Sequence, residues 1–341
     1  MARSRIALIG LGMAVTPHAR SLVDLQERVE VAYAFSPSEA RRAAFASHFP
    51  FPPAESLDTI YRDDTVDAVL ILTPPNTHLE LAGQAAAAGK HILLEKPLEV
   101  SPERAAALVD LCRAAGVTLG VVLQHRFRPA GLRLRAMLAE GELGRIVSAS
   151  AVARLWRPQS YYDEPGRGAM ARDGGGVLLT QAIHTLDLYL SLIGKPAEAF
   201  AYVATTPLHR METEDLVSAA VRFANGTLGA IEATTAANPG FAERIEIVGE
   251  NGSAHLAGAE LNVAWSNGRR TEVRSDATPG GTGADPMAFP HDHHRELLRD
   301  FLDAIEAGLE PVVNGEEALN VHRLIEALLA SGRLGRPVPV A

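Results

Sequence analysis

Three groups of residues in this chain have types and spacings suited to proton transfer beside a bound dinucleotide: Gly10-Leu11-Gly12, Glu95-Lys96-Pro97, and the run from Thr180 to Asp187 that contains His184. Lys96 follows His91-Ile92-Leu93-Leu94, which reads as a short buried strand. Pro97 has no N–H and cannot continue a central ladder, so the strand must stop and turn at Glu95-Lys96. In open parallel α/β sheets ligands sit outside the carboxyl ends of the strands, where this turn delivers the ammonium group. Gly10 and Gly12 follow the apolar run Ile6-Ala7-Leu8-Ile9 and permit a tight turn. The backbone of Leu11 and Met13 can then approach a pyrophosphate, and the following helix offers free N–H groups at its start. The usual third glycine is absent, since position 15 is Val. In the second half, Gly174-Gly175-Gly176 precedes a helical run in which Thr180, His184 and Asp187 share a face through offsets of four and three. His184 could exchange a proton near neutral pH, with Asp187 orienting it or binding substrate.

Other strand ends carry polar groups. The second strand ends at Ser36, followed by Arg41 and Arg42, where NAD enzymes commonly place a carboxylate for the ribose 2′-hydroxyl. Serine and arginine would instead bind a 2′-phosphate, which favours NADP(H) over NAD(H). The third strand ends in Thr73-Pro74-Pro75-Asn76-Thr77-His78 and the fifth in Gln124-His125-Arg126, so Thr73, Pro74, Asn76, His78, Glu95 and Gln124 join the cofactor candidates. His291-Asp292-His293-His294 resembles a metal cluster, but adjacent residues on a helix point in different directions, and no metal is expected. Trp265 and Tyr161-Tyr162 are candidates for packing or for stacking on a sugar ring.

The elements that must position these residues follow from periodicity. Strands at 5–9, 29–35, 66–72, 91–94 and 118–123 alternate with helices at 16–25, 38–47, 77–88 and 102–115. That alternation predicts a doubly wound parallel sheet of Rossmann type, in an α/β domain covering residues 1–124. After a connecting helix at 130–140 come strands at 146–155, 198–205, 216–223, 227–234, 243–248 and 261–265, several separated by turns such as Asn225-Gly226, Glu250-Asn251-Gly252 and Asn267-Gly268. Residues 125–341 are therefore expected to form an α+β domain with a largely antiparallel open sheet, closed by helices at 291–307 and 315–331. The Gly/Pro-rich segment 279–286 reads as a mobile loop.

Composition narrows the function. A chain of 341 residues with 47% hydrophobic composition exceeds the roughly 250–300 residues at which single cores stop growing, which supports two domains. The net charge of −9, from 32 basic and 41 acidic side chains without blocks of like sign, argues against nucleic acid or an anionic membrane as partner. Cys112 is the only cysteine, so no intrachain disulfide can form. The sequence shows neither a secretory leader nor an apolar stretch near the roughly 20 residues that span a bilayer, and it reads as cytoplasmic.

Taken together, Gly10-Leu11-Gly12, Thr73-Pro74-Pro75-Asn76-Thr77-His78, Glu95-Lys96-Pro97, Trp156-Arg157, the triple glycine with His184-Thr185-Leu186-Asp187, and the tail Gly335-Arg336-Pro337-Val338 resemble the Gfo/Idh/MocA oxidoreductases over nearly the whole chain. The resemblance implies an NAD(P)-dependent dehydrogenase or reductase acting on the CH–OH group of a sugar, polyol or sugar derivative. It also implies that the second domain's open sheet forms a homo-oligomer, dimer or tetramer. Lys96 matches the family's catalytic lysine and His184 its catalytic histidine, Asp187 matches a substrate-binding position, and Trp156-Arg157 a pair that reaches the cofactor in some NADP-dependent relatives. Thr180 stands beside the substrate where many members have Asp, which would leave more of the proton transfer to Lys96. An NAD-dependent glycosidase and a catalytically silent dinucleotide sensor are the alternatives on the same scaffold. Lys96 and His184 argue against silence, and Ser36 against a tightly held NAD.

Overall fold

A computed structural model of the protein describes residues 3–274, 281–287 and 289–341. Of the segment expected to form a mobile loop, positions 279 and 280 lie outside the described residues.

The first half alternates strand and helix: β1 (Ser4–Ile9), α1 (Val15–Asp24), β2 (Val29–Phe35), α2 (Glu39–Ala46), α3 (Leu57–Tyr61), β3 (Ala68–Ile71), α4 (His78–Ala87), β4 (His91–Leu94), α5 (Pro102–Ala115) and β5 (Leu119–Val121). The five strands form one sheet in the order β2-β1-β3-β4-β5, and every adjacent pair is parallel. Parallel strands are covered on both faces, which is why Ile6–Ile9, Val69–Ile71 and Ile92–Leu94 are unbroken apolar runs at no more than 1% exposure. Local signals set the helices: Ser38 and Ser101 cap α2 and α5 by accepting a backbone N–H, Pro102 opens α5, and Gly116 ends it in a left-handed conformation.

The second half runs α6 (Pro129–Ala139), β6 (Ile146–Arg154), α7 (Gln159–Tyr162), α8 (Met170–Asp173), α9 (Val177–Thr180), α10 (Ile183–Ile193), β7 (Pro196–Ala204), β8 (Leu216–Phe223), β9 (Leu228–Thr234), β10 (Arg244–Gly249), β11 (Gly252–Ala257), β12 (Glu260–Trp265) and β13 (Arg270–Arg274), then α11 (Asp292–Ala307), α12 (Gly315–Leu334) and β14 (Val338–Pro339). Nine strands form an open sheet in the order β13-β12-β11-β10-β6-β9-β8-β7-β14, antiparallel except for the β6–β9 pair. One face is apolar, with Ala149, Ala151, Val217, Val221, Ile231, Ile245 and Ile247 buried; the other leaves Tyr202, Leu228 and Val248 exposed. Alternation along β11 and β13 escaped the sequence reading: β11 begins in small residues and β13 is a charged, solvent-facing edge strand. The turns at Glu250-Asn251-Gly252 and Asn267-Gly268 nevertheless sit where the hairpins close.

The chain divides into two compact units: residues 1–123 with 291–319, and residues 124–290 with 320–341. One boundary between the units falls after Leu123, at the end of β5, and α11 belongs to the first unit. Its apolar stripe explains the return, because Leu297, Leu298, Phe301 and Leu302 are buried and the Phe301 ring lies where a Cβ on Gly120 of β5 would sit.

Candidate active site

In the first unit the strand ends hold the candidate groups. Gly10, at the end of β1, has φ +104°, and a Cβ there would lie 2.8 Å from the backbone carbonyl of Leu72, so only glycine fits between the ends of β1 and β3. At Gly12 a Cβ would meet nothing within 4 Å. That open space lies at the start of α1, which has no side-chain cap on its first N–H groups, and it suits the phosphates of a dinucleotide. Leu11 is buried and Met13 is exposed. Ser36 is buried at the end of β2, where its hydroxyl accepts the N–H of Ser38 and its carbonyl accepts the Arg42 guanidinium at 2.6 Å. Arg41 is exposed.

Beyond β3, the Thr73 and Thr77 hydroxyls lie 2.7 Å apart and Thr77 donates to the Pro74 carbonyl, leaving Pro74 and Asn76 exposed. His78 departs from the expectation of a cofactor contact. It is 0% exposed, with Nε2 at 2.9 Å from the Thr73 carbonyl and Nδ1 at 3.0 Å from that of Pro97, so its ring ties the two turns together from beneath. Burial holds its pKa below the ordinary imidazole value. At the end of β4, Glu95 Oε2 accepts the N–H of Lys96 at 2.6 Å and Oε1 lies 3.7 Å from His18 Nε2. Burial pushes the Glu95 carboxyl up, but His18, the Lys96 ammonium and the Lys96 N–H outweigh it and hold the group below the usual carboxylate range. The Lys96 side chain itself is half-buried.

In the second unit His184 stands in the first turn of α10, half-buried, with its ring 4.8 Å from that of His125 and tilted by 32°. His125 lies in a 3-10 turn at Gln124–Phe127 and is buried. Its Nε2 is hydrogen-bonded by the Arg128 guanidinium, and its Nδ1 lies 3.6 Å from Glu243. Glu243 in turn accepts Arg128 at 3.2 Å and the hydroxyl of Thr185 at 2.8 Å. Asp187 is 0% exposed and receives both Nε and an Nη of Arg126, at 2.8 and 2.6 Å, so it anchors α10 to the 3-10 turn and has no surface to offer a substrate.

Thr180 and His184 do not share a helix, contrary to the expectation from their spacing. The chain breaks at Gln181-Ala182, and the stretch Met170–Thr180 is bent by 50° from α10. Gln181 is drawn aside, its amide donating to the Tyr161 hydroxyl and its carbonyl accepting from Arg157. The Thr180 hydroxyl donates back to the Gly176 carbonyl at 2.7 Å. Arg157 is buried and donates to the carbonyls of Trp156, Gly281 and Gly283, which commits the guanidinium to holding chain segments together. Trp156 is half-buried, with its ring 6.1 Å from that of His209. Gln124 is buried, and its Oε1 meets no hydrogen-bond donor among the described residues. Of the aromatic candidates, Tyr162 and Trp265 are buried and hydrogen-bonded to Thr235 and Thr271, whereas Tyr161 is half-buried under the Arg167 guanidinium.

Residues 4–123 match the oxidoreductase family with an NAD-binding Rossmann fold, and residues 132–255 match the GFO/IDH/MocA C-terminal domain. The 1,5-anhydro-D-fructose reductase of Ensifer adhaerens is 31% identical over 85% of both chains. The chain belongs to the Gfo/Idh/MocA family. This member is an NAD(P)-dependent oxidoreductase acting on CH–OH groups. The D-xylose 1-dehydrogenase (NADP(+)) 2 of Haloferax volcanii is 28% identical over 91% of both chains. Among solved structures, the WlbA dehydrogenase of Bordetella pertussis, in complex with NADH and UDP-GlcNAcA, superposes with a TM-score of 0.85 and 29% identity, covering 100% of this chain and 99% of that one.

Three further polar residues in contact with these groups escaped the sequence reading. Arg128 and Glu243 converge on His125 from segments far apart in the chain, and no spacing announces that. His18 gave a weak signal, since a histidine falls on the buried stripe of α1 with Val15, Ala19 and Leu22. It meets Glu95 and His294 in a group whose ligand-type atoms all lie within 4.8 Å of one another. Burial, then the neighbouring His18, keeps His294 well below the ordinary imidazole value and therefore neutral. These donor types suit zinc, which holds them at about 2.0–2.2 Å in a tetrahedron, so the atoms would have to draw closer to bind one.

Proposed function

We propose that the protein is a dehydrogenase or reductase of a sugar, polyol or sugar derivative, favouring NADP(H), in which Lys96 and His184 exchange the proton of the substrate hydroxyl. The observation that carries the reading is the Glu95-Lys96 turn. A carboxylate clamped on the backbone N–H of the next residue fixes the root of the Lys96 side chain at the carboxyl end of β4, on the same sheet edge as the open cradle at Gly12. With a nicotinamide dinucleotide bound, the chemistry available is hydride exchange with a carbinol carbon. Lys96 Nζ would hold the substrate oxygen and pass its proton, and the His184 imidazole would serve as the second acid–base group. Asp187 acts by fixing α10 through Arg126 rather than by touching substrate.

The preference for NADP(H) rests on Ser36 in place of a carboxylate and on the exposed Arg41 close behind it. The Haloferax relative's NADP(+) is consistent with this, while the WlbA complex holds NADH. Calorimetry should show tighter binding of NADP(H) than of NAD(H), with the difference erased in Arg41→Ala; equal affinities in the unaltered protein would refute the preference. The apolar residues Tyr202, Leu228 and Val248 on the solvent face of the large sheet support a homo-oligomer, and sedimentation velocity decides it. The lone buried Cys112 accords with a reducing cytoplasm. A screen of sugars, polyols and sugar acids with both cofactors, read by nicotinamide absorbance, tests the reaction itself. Once a substrate is found, Lys96→Met should lower turnover roughly 10²–10⁴-fold while the fold persists, and near-normal turnover would remove Lys96 from the mechanism.

A further inference from the structure

We infer that Arg128 is a positioning residue that locks His125 in one neutral tautomer, leaving its stacked partner His184 as the single titrating imidazole of the pair. Guanidinium groups carry donors only, so the His125 Nε2 that faces Arg128 must accept, and an imidazole accepting at Nε2 keeps its proton at Nδ1. That Nδ1 faces Glu243 Oε2 at 3.6 Å, the side on which an N–H is favourable. The clamp is itself clamped, because Arg128 also bonds Glu243, whose other oxygen takes the hydroxyl of Thr185, the residue after His184. Glu243 and Arg128 are only 11% and 20% exposed at their side chains, so solvent screens the arrangement weakly.

Two imidazoles with ring centres 4.8 Å apart and a tilt of 32° cannot both carry a charge without strong repulsion. In an unlocked pair they would share one proton and titrate as a coupled unit. Arg128 and Glu243 face His125, and the Arg126–Asp187 ion pair joins the same 3-10 turn to helix α10. Losing Arg128 would therefore have two effects of one sign on His125: it frees Nε2 to take a proton, and it uncovers the Glu243 carboxylate that would stabilise the resulting cation. This inference rests on the reading that His184 exchanges a proton in the reaction, and it assigns to three residues outside the expected Thr180–His184–Asp187 run the task of setting that exchange.

The test is long-range ¹H–¹⁵N spectroscopy of the full-length protein labelled at histidine, with His125 assigned by His125→Gln, alongside pH–rate profiles. In the unaltered protein His125 should stay in the Nδ1–H form from pH 5.5 to about 9 while His184 titrates in one step. In Arg128→Met, His125 should begin to titrate and the His184 limb of the profile should split into two steps, with circular dichroism unchanged. Arg128→Lys, which keeps a cationic donor, should restore the single step. A His125 that titrates in the unaltered protein, that holds its proton at Nε2, or that ignores Arg128→Met overturns the inference. If His184→Ala instead leaves turnover and its pH profile unaltered, the catalytic reading of His184 falls, while the imidazole spectra still decide the tautomer lock.

Discussion

The two acid–base candidates are held by opposite means. Lys96 owes its place to the chain around it: a buried four-residue strand, a proline that stops it, and a glutamate that accepts its own neighbour's N–H. His184 owes its place to side chains gathered from three separated stretches, 125–128, 185–187 and residue 243. A group positioned by backbone tolerates the loss of any one side chain near it. A group positioned by a network of buried charges does not.

The largest expected effect is on that network. Asp187→Asn strips the buried Arg126 of its counter-charge, and breaking a buried pair from one side costs about 3–5 kcal/mol, so chemical denaturation should show a loss of that size in the second unit. Glu95→Gln keeps a carbonyl oxygen for the Lys96 N–H and should cost less than half as much. Equal losses would erase the contrast. Trp156 and Trp265, the only tryptophans, both lie in the second unit, so their fluorescence reports its unfolding while circular dichroism reports both units.

Within the first unit, two glycines separate fold from cofactor. Gly10→Ala combines a positive φ with a 2.8 Å approach to the Leu72 carbonyl and should destabilise by about 1–3 kcal/mol. Gly12→Ala meets no protein atom, so stability should stay within about 0.5 kcal/mol while dinucleotide affinity by calorimetry falls at least about tenfold. A Gly12→Ala protein that binds cofactor normally would show that the dinucleotide does not use this cradle.

The pH dependence of stability should differ in sign between the units. His78 and His294 are buried with pKa values below the ordinary value of 6.5, so the folded state binds their protons less readily than the unfolded one. Their contribution is complete above pH 6.5 and declines as pH falls below it. Glu214 in the second unit is the reverse: burial raises it above 4.5, against the pull of the Leu178 and Gly176 N–H groups, so its contribution is complete below 4.5 and is lost as pH rises through the raised value. Between pH 7 and 5.5, the signal shared by both units should lose stability faster than tryptophan fluorescence alone, and parallel slopes would contradict the assignment.

The smallest effects belong to position 180 and to metal. Thr180→Val removes one hydroxyl bond to the Gly176 carbonyl and should cost about 0.5–1.5 kcal/mol without moving the His184 limb of the pH–rate profile. A displaced limb would restore Thr180 as a partner of His184. Dialysis against EDTA should leave turnover unchanged; a loss restored by zinc would make His18, Glu95 and His294 a metal site.

What the sequence revealed follows the same division. Gly10, Ser36, Thr73 and Lys96 lie at strand ends because parallel strands need unbroken apolar runs, and such runs are visible one residue at a time. The Thr180–His184 face was misread because an offset of four means a shared face only inside one helix, and the pull of Arg157 and Tyr161 on Gln181 is a tertiary contact that no local pattern carries. His78 was misread for a related reason: a polar residue after a strand can serve the ligand or tie two loops together, and only burial tells which. The return of α11 to the first sheet was invisible because its amphipathic stripe says that it packs, not where.

That return has a consequence for how the protein is made. The first unit is discontinuous in the chain, so when the ribosome has finished β5 the sheet still lacks the helix that places Phe301 against Gly120. Everything between Leu123 and His291 must be synthesised first, which at about 5–20 residues per second takes on the order of ten seconds or more. During that interval the nascent sheet exposes apolar surface that only a later segment can cover. The amino-terminal unit therefore completes itself only after the segment that interrupts it has been made, the second unit later still with residues 320–341, and a fragment ending at Leu123 should be a client for chaperones rather than an independent domain.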